Sequence, residues 1–175
     1  MKDEGLNASE TYLYFVSRHA EILKANGRKP IMWNDAYDEF ESEINEDTTI
    51  MFWTIEDGGN KFRNALRNGY NVISAAANPL YLSNSGDYNS KEAYEYDPCS
   101  CGSHSTWTDI DDDCSNVTSL CDQILGVEVA FWTTDYDASN LEVGLWPRAL
   151  AMSERAWSPS SLKMYVVQNN LHGPI

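Results

Sequence analysis

Four short apolar runs constrain this chain more than any other feature: "KPIMWND" (29–35), "TTIMFWT" (48–54), "YNVISA" (70–75) and "ILGVEVAFW" (124–132). Each is apolar on both faces, as parallel strands covered by helices are. Helical pattern lies between them. Over 8–26, Leu13, Val16, Ala20 and Leu23 recur at spacings of three and four. Asn7 suits the N-cap with Glu10 reaching back to it, and Gly27 suits the stop. A polar stretch with weak helical character fills 36–47, and a helix over 58–68 ends at Gly69. Pro79 opens a turn or a single helical turn in "NPLYLS". The last helix begins at Trp146-Pro147, with proline in its first position, and runs through "RALAMSERAW". The first three strands are about 20 residues apart, the spacing of short βα units. The order predicts an α/β fold with a parallel sheet. Four such units form half of a (β/α)₈ barrel or a small open sheet. A full barrel takes ~250 residues, and this chain has 175.

Composition narrows the function. Hydrophobic residues make up 42%, enough to build a core. The net charge of −15 repels nucleic acid and anionic lipid, so neither is expected as a partner. No apolar run reaches the roughly 18 residues of a membrane span. The first residues, "MKDEGLNASE", do not read as a signal peptide. Cys99, Cys101, Cys114 and Cys121 fall in a stretch that also holds the sequon Asn116-Val117-Thr118, and Asn7-Ala8-Ser9 is a second sequon. An even cysteine count beside a sequon points to an oxidising, secretory route. The expected localisation is therefore secreted or lysosomal, with the true N-terminus elsewhere.

Three of the four strand runs carry a tryptophan at or near the carboxyl end: Trp33, Trp53 and Trp132. Tyr81 follows the remaining one. Ligands of α/β folds sit at the carboxyl ends of parallel strands. Alternation along a strand places Glu128, Ala130 and Trp132 on one face. A cage of indoles is flat, apolar and rigid, and suits a methyl group on a polar ligand. A tyrosine hydroxyl beside it can bond a carbonyl. An acetamido group has both features.

"GRKPIMWNDAYD" and "ILGVEVAFWTTDYDASNLEVGLWPRALAMSERAWS" resemble glycoside hydrolase family 20, the β-N-acetylhexosaminidases. The resemblance covers residues 1–158 apart from an irregular cysteine-rich insert at 84–121, and leaves 159–175 as a tail. It implies the C-terminal half of a TIM barrel, about strands five to eight. The activity it implies is hydrolysis of terminal N-acetylglucosamine or N-acetylgalactosamine from glycans. The mechanism is retaining and substrate-assisted, with the substrate's acetamido oxygen attacking the anomeric carbon to form an oxazolinium. By the match of surrounding residues, Trp33, Trp53 and Trp132 take the wall positions of the acetamido pocket. Tyr81 takes the position that contacts the acetamido carbonyl. No cofactor and no metal is implied.

Three departures accompany the match. The family's Asp-Glu pair, general acid and orienting neighbour, belongs at the end of strand four. The Asp-Glu pairs here, Asp3-Glu4 and Asp38-Glu39, read as solvated surface. Thr134 stands where the family has a hydroxyl-binding acid, and Ser83 where it has Asp or Asn. Neutral acceptors contribute about 1 kcal/mol against roughly 1.5–3 for charged ones, which implies weaker sugar binding. The 175 residues alone are therefore expected to be inactive. Their two unpaired sheet edges are expected to need a missing N-terminal half or a homodimer.

The remaining signals read as structure. "CSCGSH" with Cys114 and His104 fits no zinc spacing. "DIDDDC" lacks the glycine and glutamate of a calcium loop. Arg148, Glu154 and Arg155 read as ion-pair structure on the last helix, His19 as surface, and Glu128 as a hydrogen-bonded acid. The alternative readings are a non-catalytic sugar-binding or relic half barrel and, more remotely, another (β/α) hydrolase with an aromatic mouth.

Overall fold

A computed structural model describes residues 5–54, 59–83, 90–99, 119–134 and 136–158. Asp3-Glu4, Cys101, His104, Cys114, the "DIDDDC" stretch, the Asn116 sequon and the 159–175 tail lie outside the described residues. The chain forms two compact units, 1–76 with 98–128 and 77–97 with 129–175.

The first unit opens with helix α1, Ala8–Ala25. Its start is a reciprocal capping box: the Asn7 side chain accepts from the Glu10 amide at 2.9 Å, and the Glu10 carboxylate accepts from the Asn7 amide at 2.8 Å. Gly27, at φ 67°, turns the chain out of the helix. Strand β1, Ile31–Trp33, passes without a loop into α2, Asn34–Phe40. Strand β2, Thr49–Phe52, is followed by α3, Asn60–Arg67, and strand β3, Val72–Ser74. Gly69, at φ 87°, makes the turn between α3 and β3. Strand β4, Ile124–Val127, completes the sheet.

All three pairings are parallel, and the strand order is β1-β2-β3-β4. The α/β class with a parallel sheet therefore agrees with the sequence reading. Chain order equals spatial order, so each βα unit lays its strand beside the one before it. Among the described residues, no strand pairs with the outer edge of β1 or of β4.

The core of this unit is aromatic. Ile50, Phe52 and Val72 from the sheet meet Val16, Tyr37, Phe40, Phe62, Leu66 and Tyr70. The Phe52 ring lies 5.2 Å from Phe62 and 6.0 Å from Tyr37, centroid to centroid. Both buried phenols keep hydrogen bonds, as such groups must. Tyr70 Oη donates to the Ile44 carbonyl at 2.7 Å, and Asn68 Nδ2 donates to Tyr37 Oη at 3.2 Å. Burial pushes both phenols up from their ordinary value, so they stay protonated.

The fourth strand is shorter than the run 124–132 suggests. The register slips between Val72 and Ile73, which face Ile124 and Gly126, so Leu125 is the extra residue of a bulge. The Glu128 amide still donates to the Ser74 carbonyl at 2.8 Å, but the regular ladder ends at Val127.

In the second unit, the kinked turn α4, Ala77–Leu80, non-helical at Asn78 and Pro79, leads into Tyr81, which forms an isolated parallel bridge with Ala130. Helix α5, Ser90–Glu95, packs against α7, Arg148–Trp157, and between them comes α6, Leu141–Leu145. Helix α5 corrects the reading of 84–121 as wholly irregular. Ala93, Tyr94 and Tyr96 are buried there, and Lys91 lies 3.7 Å from Glu95 one turn on. A helical turn thus forms in a polar stretch because it has a partner to bury against. Pro147 is the N-cap of α7 rather than its first residue, and the short helix α6 precedes it. No described helix is long and apolar enough to cross a membrane.

Truncating the ring that three core elements share tests this packing. Phe52→Ala should cost about 3–5 kcal/mol of stability, read as a lower urea midpoint. A shift below 1 kcal/mol would show that the ring does not hold the sheet to α2 and α3.

Candidate functional site

In the first unit the candidate residues gather after the carboxyl ends of β1 and β2. Trp33 ends β1 and is 37% exposed. Register places Trp33 opposite Met51, so Trp53 follows β2 by one residue beside the first turn of α2. Two consecutive α2 residues hold Trp53. Asn34 Oδ1 accepts from its main-chain amide at 3.0 Å, and Asp35 Oδ2 accepts from its indole Nε1–H at 2.9 Å. Asn34 is itself buried and donates to Asp38 Oδ2 at 2.6 Å. Asp38, from the "DE" pair read as surface, is half-buried and lies 3.6 Å from Lys61 Nζ. Its Oδ1 is the oxygen that faces the lysine.

In the second unit the structure brings Tyr81 and Trp132 together. Their ring centroids are 6.2 Å apart with the planes tilted by 53°. Main-chain bonds fix the pair: the Leu82 amide donates to the Ala130 carbonyl at 2.8 Å, and the Ala130 amide to the Leu80 carbonyl at 3.1 Å. Trp132 is 51% exposed. Ser83 is buried, and Thr134 is exposed.

Arg148 donates to the carbonyls of Leu82 and Gly144. It thereby ties α7 to the residue between Tyr81 and Ser83. Sequence reading assigned Arg148, Glu154 and Arg155 to structure. Arg155 does pair with Asp97 at 3.0 Å, and Glu154 accepts from the Ser158 hydroxyl at 2.8 Å. His19 is exposed on α1 and stacks on Phe15.

The "DASNL" stretch is a side-chain-locked turn. Asp137 Oδ1 accepts from the Ser139 amide at 2.7 Å and from its hydroxyl at 2.6 Å, while Asn140 Oδ1 accepts from the Asp137 amide at 2.7 Å. Tyr136 packs tilted against Phe131, centroids 4.8 Å apart, and closes over Gly144, where any side chain would meet the ring at 2.3 Å. This explains both the aspartate and the glycine in the pattern.

Comparison with known sequences settles the kinship. Residues 1–160 match the glycosyl hydrolase family 20 catalytic domain. The chain belongs to glycosyl hydrolase family 20. A β-hexosaminidase subunit A2 of Dictyostelium discoideum is 30% identical over 164 residues, which is 93% of this chain and 28% of that protein. A β-hexosaminidase subunit beta of Sus scrofa is 29% identical over 170 residues, again 93% and 28%. The chain thus spans less than a third of the length of these relatives. Its fold superposes on family 20 structures. A Bacteroides fragilis β-N-acetylhexosaminidase gives a TM-score of 0.70 at 22% identity, covering 94% of this chain and 33% of that one. An exo-β-N-acetylglucosaminidase of Vibrio harveyi, in complex with N-acetylglucosamine, gives 0.69 at 20%, covering 94% and 26%.

Sequence reading missed the role of Asn34 and Asp35. The available signal was their place: a polar pair directly after a strand-end tryptophan, where side chains reach the next strand's end.

The turn at Asp137 makes a pH prediction. Bonds from Ser139, the side chain first, hold the Asp137 carboxyl below its ordinary value of 3.8. A depressed carboxyl stabilises the fold above its unfolded value, and that contribution is lost as pH falls through the folded one. The Ser139 amide resonance should therefore titrate with a midpoint below 3.8. A midpoint at or above that value would contradict the turn.

Proposed function

We propose that this chain is part of a β-N-acetylhexosaminidase that removes terminal non-reducing N-acetylglucosamine or N-acetylgalactosamine from glycans. Family 20 membership and the Tyr81–Trp132 ring pair, 6.2 Å apart beside a strand end, support this reading most directly. The residue roles are assigned one by one. Trp33, Trp53 and Trp132 supply apolar wall to the acetamido methyl. Tyr81 donates its hydroxyl to the acetamido carbonyl and so orients that oxygen for attack on the anomeric carbon. The reaction retains configuration through an oxazolinium, with no enzyme nucleophile. Ser83 and Thr134 offer neutral hydroxyls to the sugar.

The four strands take the places of barrel strands five to eight, and the cysteine-rich segment is an insert before the last. Within that segment Cys99 and Cys121 are joined as a disulfide, with Cα atoms 5.7 Å apart. That bond and the sequons favour a secretory or lysosomal setting.

The general acid and its aspartate partner are not matched within these 175 residues. Asp38 is committed to Asn34 and Lys61. The neutral Thr134 favours a second reading, a sugar-binding or relic half barrel that keeps aromatic walls without turnover.

Two measurements test the proposal. The 175-residue chain by itself should not hydrolyse an aryl N-acetylglucosaminide, and turnover comparable to a full-length relative would overturn the assignment of the acid elsewhere. The open edges of β1 and β4 should drive self-association or pairing with a polypeptide that supplies the remaining strands. A monodisperse monomer with one cooperative melting transition, seen by sedimentation and calorimetry, would refute the half-barrel reading.

A further inference from the structure

A half-exposed indole is free to change rotamer unless something holds both its main chain and its ring. Trp53 is held at both. The main-chain amide bonds Asn34 Oδ1 at 3.0 Å, and the indole N–H bonds Asp35 Oδ2 at 2.9 Å. The two acceptors are adjacent residues of α2, a helix that begins directly where β1 ends at Trp33. Asn34 is locked in turn by its bond to Asp38 at 2.6 Å. The support is therefore rigid on the Asn34 side, which lets the carboxylate next to it define the ring's direction. A carboxylate is the strongest neutral-pH acceptor a side chain can offer to an indole N–H, because the bond is charge-assisted. Asp35 is exposed, and it uses an acceptor where a solvated residue at a strand mouth would serve equally well for solubility. Its position is explained by the bond to Trp53.

We propose that Asp35 is a positioning residue of the sugar site, holding the Trp53 indole so that its face is presented to the ligand before the ligand arrives. The inference rests on the reading of Trp53 as a wall of that site. Fixing the ring beforehand removes the ordering cost that a mobile wall would incur on binding. Asp35 acts through Trp53 and takes no part in proton transfer.

The test uses the full chain with ¹⁵N-labelled tryptophan, titrated with N-acetylglucosamine. Trp53→Phe identifies the Trp53 indole resonance. In Asp35→Ala that resonance should move upfield, its N–H should exchange with water on the order of tenfold faster, and N-acetylglucosamine should bind several-fold more weakly. Asp35→Asn keeps an acceptor oxygen without the charge. It should recover most of the affinity and leave the resonance between those of the wild type and Asp35→Ala. A Trp53 resonance in Asp35→Asn identical to wild type would overturn the proposal even if the alanine variant fails to fold. N-acetylglucosamine that shifts no indole resonance of the wild-type chain would sink the sugar site itself. Equal affinity in Asp35→Ala and wild type would sink only the role of Asp35.

Discussion

The parallel pairing of β1 with β2, with Trp33 opposite Met51, is the constraint on which the first unit depends. Parallel strands need a crossover between them, and here α2 joins β1 to β2 and α3 joins β2 to β3, both packed on the sheet. Because all pairings run the same way, every strand delivers its carboxyl end to one edge. Trp33 and Trp53 arrive side by side for that reason alone. A slip of one residue in this register would turn each strand's side chains to the other face. It would also separate Asn34 and Asp35 from the main chain and ring of Trp53.

The aromatic core makes such short strands sustainable. β1 and β3 have three residues each, so ladder bonds alone define them weakly. Tyr37, Phe52, Phe62 and Tyr70 add large buried area around the sheet, and the tyrosine hydroxyls find acceptors or donors rather than desolvated voids. The capping box at Asn7 and the glycine stop at Gly27 then set where α1 can end and β1 can begin.

The second unit shows how a long sequence pattern can be mostly scaffold. Asp137, Ser139 and Asn140 close a turn on one another, and Gly144 is small because Tyr136 lies against it. Arg148 reaches back to the main chain of Leu82. These contacts brace the main chain beside Trp132 and Tyr81. In the proposed sugar site Thr134 and Ser83 would offer neutral hydroxyls, and hydroxyls hold a sugar less firmly than carboxylates.

Much of this architecture was legible in the amino-acid sequence. Helix α1, its cap and its stop follow from Asn7, Glu10, the apolar period and Gly27, all local interactions within a few residues. The parallel sheet follows from doubly apolar runs at βα spacing, and the family from the motif after Ile124. Tertiary structure decided the rest, because it turns on contacts between distant residues. The bulge at Leu125 comes from fitting β4 against β3, helix α5 from having α7 to bury against, and the shift of Pro147 to a cap from α6 before it. Asp35 is the sharpest case. In sequence it is one acid among 27 Asp and Glu residues. Only the register of two strands, which brings Trp53 to within 2.9 Å of it, gives that carboxylate a purpose.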